Sequence, residues 1–169
     1  NLEIKVMKRN ILIISFIFWG TVLSLPINSQ SQLQKVNLGD IVLENGTVLK
    51  NCQIAYRTFG TLNNDRSNAI LFPAWLGGTS EMLAGFIGKE MFVDDTKYFV
   101  IAIDPLGNGV STSPSTYTGF AESDFPIYTI GDMVKTEYLL LTKVLGIQQL
   151  YGVIGMSMGG HEVFEWIVS

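Results

Sequence analysis

One cysteine and one histidine stand in a chain of 169 residues. Cys52 has no partner for an internal disulfide. It sits in a strand-like stretch and reads as a small core residue, not a reactive thiol. His161 is isolated, so there is no cluster of cysteine and histidine at metal-ligand spacing, and neither a metal nor a resident cofactor is expected. Charge is also scarce. Charged residues make up 15% of the chain, the net charge is −4, and there is no basic run. That balance excludes nucleic acid as an expected partner. Low charge beside 47% hydrophobic residues excludes disorder and leaves enough apolar material for a sizeable core. The length fits one domain, and no internal repeat is visible.

The longest apolar run lies near the start. Met7-Lys8-Arg9 precedes Ile11 to Leu25, which is apolar apart from Ser15, Gly20, Thr21 and Ser24; Pro26 and Asn28-Ser29-Gln30-Ser31 follow. A basic start, a short apolar middle and a small-residue end predict a secretory signal peptide over residues 1–31, with residues 1–6 as an upstream extension and cleavage near Ser29 or Ser31. The expected location is therefore outside the cytosol, periplasmic or secreted, with membrane contact only through the export signal. The alternative is an uncleaved anchor holding a membrane-bound interaction protein, for which the run is short.

Residues 32–169 read as alternating strands and helices, with the folded part starting near Leu38. Ile41-Val42-Leu43 and Thr47-Val48-Leu49 flank Glu44-Asn45-Gly46, a hairpin signal. Asn45-Gly46-Thr47 is also a glycosylation sequon, but the turn explains it sufficiently. Cys52 to Phe59, Ala69 to Phe72 and Phe99 to Ile103 predict further strands. Thr129 with Asp132 three residues later predicts a capped helix start. Ile130, Val134, Tyr138, Leu141 and Leu145 form its apolar stripe, and Gly146 ends it. The strand after that helix, Leu150 to Ile154, then implies a parallel crossover.

That strand meets Gly155-Met156-Ser157-Met158-Gly159, followed by a helical stretch. Strand, sharp turn and helix lift a serine hydroxyl out of the sheet, while the glycines let strand and helix pass close by. Ser157 is thus the expected nucleophile for acyl transfer, and the Met158 N–H at the helix start is an expected oxyanion donor. Ala74-Trp75-Leu76-Gly77-Gly78 follows another strand. Its Leu76 N–H is the expected second donor, with Trp75 as the neighbouring choice and as a wall of the substrate pocket. Asp104 ends a strand before Pro105-Leu106-Gly107-Asn108-Gly109; it is read as accepting backbone hydrogen bonds from that glycine turn, not as the catalytic acid.

Taken together, several segments resemble the α/β-hydrolase superfamily and, within it, the homoserine O-acetyltransferase group. They are Tyr56-Arg57-Thr58-Phe59-Gly60-Thr61-Leu62-Asn63, Asp104 to Ser111, Thr129 to Val134, Leu145-Gly146-Ile147, and Gly155 to Gly160 with Glu165-Trp166. The resemblance covers residues from about 50 onward. It implies an α/β-hydrolase fold, a mostly parallel sheet flanked by helices, with Ser157 forming an acyl-serine intermediate. It also implies a small-molecule ester or acyl donor such as acetyl-CoA, met as a substrate. The chain departs from the acetyltransferase pattern at Ala74 to Gly78 and at His161.

A serine nucleophile needs a base and an orienting acid, which in this architecture follow it in the chain. Twelve residues follow Ser157. His161 lies four residues on, in the same helix, and is carried away from the hydroxyl. The expectation is the N-terminal portion of a hydrolase domain, cut after the serine turn and inefficient by itself. Hydrolysis and O-acyl transfer stay open; a different class of reading is a non-catalytic remnant or binding module.

Overall fold

The computed structural model describes residues 31–119, 121 and 124–169. The expected export segment, apart from Ser31, lies outside the described residues. Among the described residues no helix is long and apolar enough to cross a membrane.

Among the described residues seven strands form two sheets: β1 (Gln34–Asn37), β2 (Ile41–Val42), β3 (Val48–Leu49), β4 (Gln53–Phe59), β5 (Ala69–Pro73), β6 (Phe99–Asp104) and β7 (Gly152–Val153). The hairpin β2–β3 turns through Gly46 at φ +83°, as its sequence signal predicts. The main sheet runs β1-β4-β6-β5-β7. It is mixed: β1–β4 and β4–β6 are antiparallel, whereas β6–β5 and β5–β7 are parallel. Strand β1 lies ahead of the expected start at Leu38. Its sequence, Gln-Lys-Val-Asn, carries little apolar signal because an edge strand at this margin leaves three of its four side chains exposed.

Strands β5 and β6 read as continuous apolar runs because both sheet faces are covered. Alternate residues go to opposite sides. Leu71, Ile101 and Ile103 join Ile54, Met133, Leu140 and Leu141 on one face. Ile70, Phe72, Val100 and Ala102 join Leu83, Ile87 and Val93 on the other. Each of the fully buried Val, Leu, Ile, Phe and Met side chains contributes about 1.5–3 kcal/mol. The second face is covered by a short helix that the sequence did not announce, α1 (Ser80–Leu83), continued by a 3-10 turn over Ala84–Phe86.

Helix α2 (Ile130–Leu139) starts where Thr129 and Asp132 predict. The Thr129 hydroxyl accepts from the Asp132 N–H, and the Asp132 carboxylate accepts from the Thr129 N–H at 3.1 Å. Its buried face follows the predicted stripe except at one position: Val134 and Leu141 are buried, and Ile130 and Leu145 pack against the core. Tyr138 is exposed, while Thr136 and Glu137 are buried beside Met133 and Val134. The helix runs on as a π turn over Leu140–Val144, which shifts the phase of the face; Gly146, at φ +64°, ends it.

Asp132 does more than cap. It is fully buried, and its Oδ1 accepts from the Glu44 N–H of the hairpin at 2.9 Å. Asp132→Ala would leave two partly buried N–H donors, of Glu44 and Thr129, without their acceptor. It is expected to lower stability by about 2–3 kcal/mol in urea unfolding. A loss below about 0.5 kcal/mol would show that water replaces both bonds.

Candidate functional site

The parallel strands β5, β6 and β7 bring three loops to one edge of the sheet. From β5 the chain passes to β6 on one side and later to β7 on the other, so the strand order reverses at β5. The crevice beyond the carboxyl ends of strands at such a reversal is where ligands bind in open α/β sheets.

The turn from β7 into α3 (Met158–Val168) is the most strained part of that edge. Ser157 is the residue before α3, at φ +53° and ψ −120°. A non-glycine residue there costs about 1–3 kcal/mol and persists only where the surroundings impose it. Two glycines impose it. A side chain at Gly155 would run into the Gly159 carbonyl, and one at Gly159 would reach 2.6 Å from the Pro73 carbonyl oxygen at the end of β5. Helix and strands therefore pass too closely for any other residue, and the chain reverses in the space of Met156 and Ser157.

Serine before a helix ordinarily folds its hydroxyl back onto the first turn. Ser157 does not: it makes no side-chain capping bond, and it is exposed. The Met158 N–H opens the helix, where backbone donors have no intrahelical acceptor and the dipole favours negative charge.

The Ala74 to Gly78 loop lies next to this turn, since Gly159 packs on Pro73 and Ala74. Gly77 takes φ +75°, and the Gly78 N–H closes a tight turn onto the Trp75 carbonyl at 2.8 Å. Leu76 is at the tip, 78% exposed. Among the described residues, its N–H is donated to no backbone carbonyl. Trp75 is half-buried, folded over Gly78 and edge-on to Phe86 with ring centroids 6.1 Å apart. It thus braces the loop from beneath.

Asp104 is placed differently from the sequence reading. It takes no backbone hydrogen bond from the glycine turn. Its Oδ1 accepts from the Ser80 N–H at 2.8 Å and from Asn108 Nδ2 at 3.0 Å, and the same Asn108 amide donates to the Gly78 carbonyl at 3.3 Å. The turn's own N–H groups, from Val110 and Ser111, go to Asn108 Oδ1. Asp104 and Asn108 together clamp the Leu76 loop to the end of β6. Asn108 escaped the sequence reading; its one signal was an amide set between Gly107 and Gly109.

His161 stands apart. It is exposed on α3, in a shallow hollow with Ile130, Phe164 and Val168. Among the described residues no group of three or more His, Cys, Asp or Glu side chains could hold a metal.

Comparison with known proteins agrees with this geometry. The family model described as "alpha/beta hydrolase fold" matches residues 70–167. A probable esterase of Corynebacterium glutamicum is 42% identical over 82% of this chain and 41% of its own. A homoserine O-acetyltransferase of Methanosphaerula palustris is 40% identical over 76% of this chain and 30% of its own. The crystal structure of an acetylester hydrolase from Corynebacterium glutamicum superposes with a TM-score of 0.77 at 42% identity, covering 82% of this chain and 41% of that one. The chain spans about two fifths or less of the length of these relatives. From the Ser157 turn to the strand order, this chain belongs to the α/β-hydrolase fold family, similar there to both its esterases and its homoserine O-acetyltransferases.

Proposed function

We propose that this chain carries the nucleophile and oxyanion hole of an exported serine ester hydrolase acting on small acyl esters through an acyl-serine intermediate. The backbone of Ser157 carries the reading: a non-glycine residue held at φ +53° and ψ −120°, with its hydroxyl exposed and engaged in no cap. A binding module that had no use for the hydroxyl would gain stability from glycine at this position.

In the mechanism, Ser157 Oγ attacks the ester carbonyl carbon and gives its proton to a base. The tetrahedral oxyanion is held by the Met158 and Leu76 N–H groups, with Asp104 and Asn108 fixing the second of these through the loop. The carbon–oxygen bond to the alcohol breaks, and the alcohol leaves with the proton. Water then adds to the acyl-serine and releases the acid. His161 is on the wrong face of α3 for the base, so we place the base and its orienting acid outside residues 31–169, as the chain order of this fold requires.

Water and an alcohol compete for the same acyl-serine. Two features favour water: the export pattern at residues 1–31, which would remove the protein from the cytosolic supply of acetyl-CoA, and the likeness to an acetylester hydrolase. The full-length protein given p-nitrophenyl acetate and homoserine together is expected to release about tenfold more acetate than O-acetylhomoserine. O-acetylhomoserine as the main product would turn the reading to an acyltransferase.

A further inference from the structure

Between α2 and α3 lies a pair of carboxyl groups that the proposed chemistry leaves unused. Glu137 on α2 and Glu162 on α3 are both 0% exposed. Glu137 Oε2 accepts from the Trp166 indole Nε1 at 2.6 Å. Among the described residues, no group outside the pair satisfies Glu137 Oε1 or either oxygen of Glu162.

Among the described residues no cation is at hand. The strands beneath, β5 and β7, bear no titratable side chain. On α2, Asp132 is engaged in its cap, and Lys135 reaches out to the Val42 carbonyl. Tyr138 turns its ring to Trp166, with centroids 6.4 Å apart. On α3, His161 is exposed and Glu165 accepts from the Ser169 hydroxyl. Lys143, in the π turn, is exposed. Two adjacent carboxylates without a cation cannot both stay charged in such a place.

We propose that Glu137 and Glu162 hold at least one proton between them, and that this neutralised pair is a strut locking α3 to α2 and so positioning Ser157. Glu162 sits five residues along the helix that Ser157 opens. If both carboxyls ionised, repulsion would push α3 off α2, and the serine turn would move with it. These are positioning residues, and neither touches a reacting atom. Glu162 holds the proton more tightly. Burial, and then the charge of Glu137, push its carboxyl far above the usual range. Burial raises Glu137 too, but the bonds from Glu162 and Trp166 hold it back.

The sign follows from proton counting. Above the ordinary glutamate value of 4.5 the unfolded chain releases protons that the folded pair keeps. Stability attributable to the pair therefore falls as pH rises beyond that value, until the folded pair itself ionises. Glutamine has the shape of a protonated glutamic acid and no charge at any pH, so it should remove the slope.

The test uses full-length protein. Thermal midpoints from about pH 5 to 9 are compared for the wild type, Glu162→Gln, Glu162→Ala and the double Glu137→Gln/Glu162→Gln. Trp166 emission is taken as the difference from Trp166→Phe. The wild-type midpoint should fall with rising pH more steeply than in either amide variant, with Glu162→Gln the higher-melting protein at the alkaline end. Glu162→Ala should be less stable than Glu162→Gln throughout. Wild-type Trp166 emission should titrate, and in the double variant it should stay flat. Parallel midpoint lines for wild type and Glu162→Gln, or an amide as damaging as alanine, would overturn the proposal. Should the amide variants fail to fold, a wild-type Trp166 signal that does not change across the range would overturn it alone. The link to Ser157 rests on the reading of that residue as nucleophile, but melting and emission do not. A failure of that reading would therefore leave both signals in place.

Discussion

Alanine at Ser157 in the full-length protein is expected to lower kcat for p-nitrophenyl acetate by about four to six orders of magnitude, with KM changed little. In the proposed mechanism the serine forms the bond that the rest of the site only stabilises, so the loss would be that of the whole nucleophilic route; what would survive is water attack helped by the oxyanion donors. Stability adds a second, opposite signature. Alanine retains a Cβ and with it the strain of φ +53°. Glycine at the same position relieves it, so Ser157→Gly should be as inactive as alanine yet more stable by about 1 kcal/mol. A substitution that abolishes turnover and raises the melting point marks a residue kept for chemistry against the preference of the fold. If Ser157→Ala kept more than a tenth of the activity, the nucleophile would have to be sought elsewhere. If Ser157→Gly were less stable, the turn would be held by the hydroxyl and not by the glycines around it.

The Ser157 turn was legible because its sterics are written in residue types. Gly155 and Gly159 are required by carbonyl groups that lie where a side chain would go, so the spacing of glycines around Ser157 survives as a local pattern. The capped start of α2 was legible for the same reason: Thr129 and Asp132 satisfy one another within four residues. The parallel part of the sheet followed from strand, helix and strand in order. What was not legible depends on contacts made at long range. Strand β1 is polar because it lies at an edge. The buried face of α2 includes Glu137, which lies three residues after Val134 and so shares its face by spacing; it is its charge that argues for solvent. That carboxyl is tolerated inside only because Glu162 and Trp166, in sequence far beyond it, arrive to share its proton and its oxygen. Asp104 was read as accepting backbone hydrogen bonds from the glycine turn, and its partners were misjudged. A carboxylate at a strand end sees both neighbouring loops, and the Ser80 N–H of the preceding loop proved better placed than the turn that follows.

Two adjacent glycines of α3 should respond in opposite ways to the same added methyl group. In Gly159→Ala the new Cβ would lie 2.6 Å from the Pro73 carbonyl oxygen and 3.4 Å from its carbon. Both belong to the backbone of a central strand paired on either side, so neither can yield, and α3 must move out instead. Overpacking of this kind costs about 1–3 kcal/mol, more than the roughly 1 kcal/mol that alanine gains over glycine in a helix. The shift also falls on the first turn of α3, where Ser157 and the Met158 N–H are set. Misplacement by a fraction of an ångström to 1 Å should lower kcat by about a hundredfold. Gly160→Ala is the control. Its Cβ would meet nothing nearer than the Gly155 carbonyl oxygen at 3.6 Å, an ordinary contact. It should therefore fold normally, gain about 0.5–1 kcal/mol from helix propensity and keep turnover within about twofold. Urea unfolding and steady-state kinetics on the pair decide the matter. Equal behaviour of the two variants would mean that α3 can slide over β5 freely. The rigid approach of helix to strand would then not be what holds Ser157 in its strained geometry.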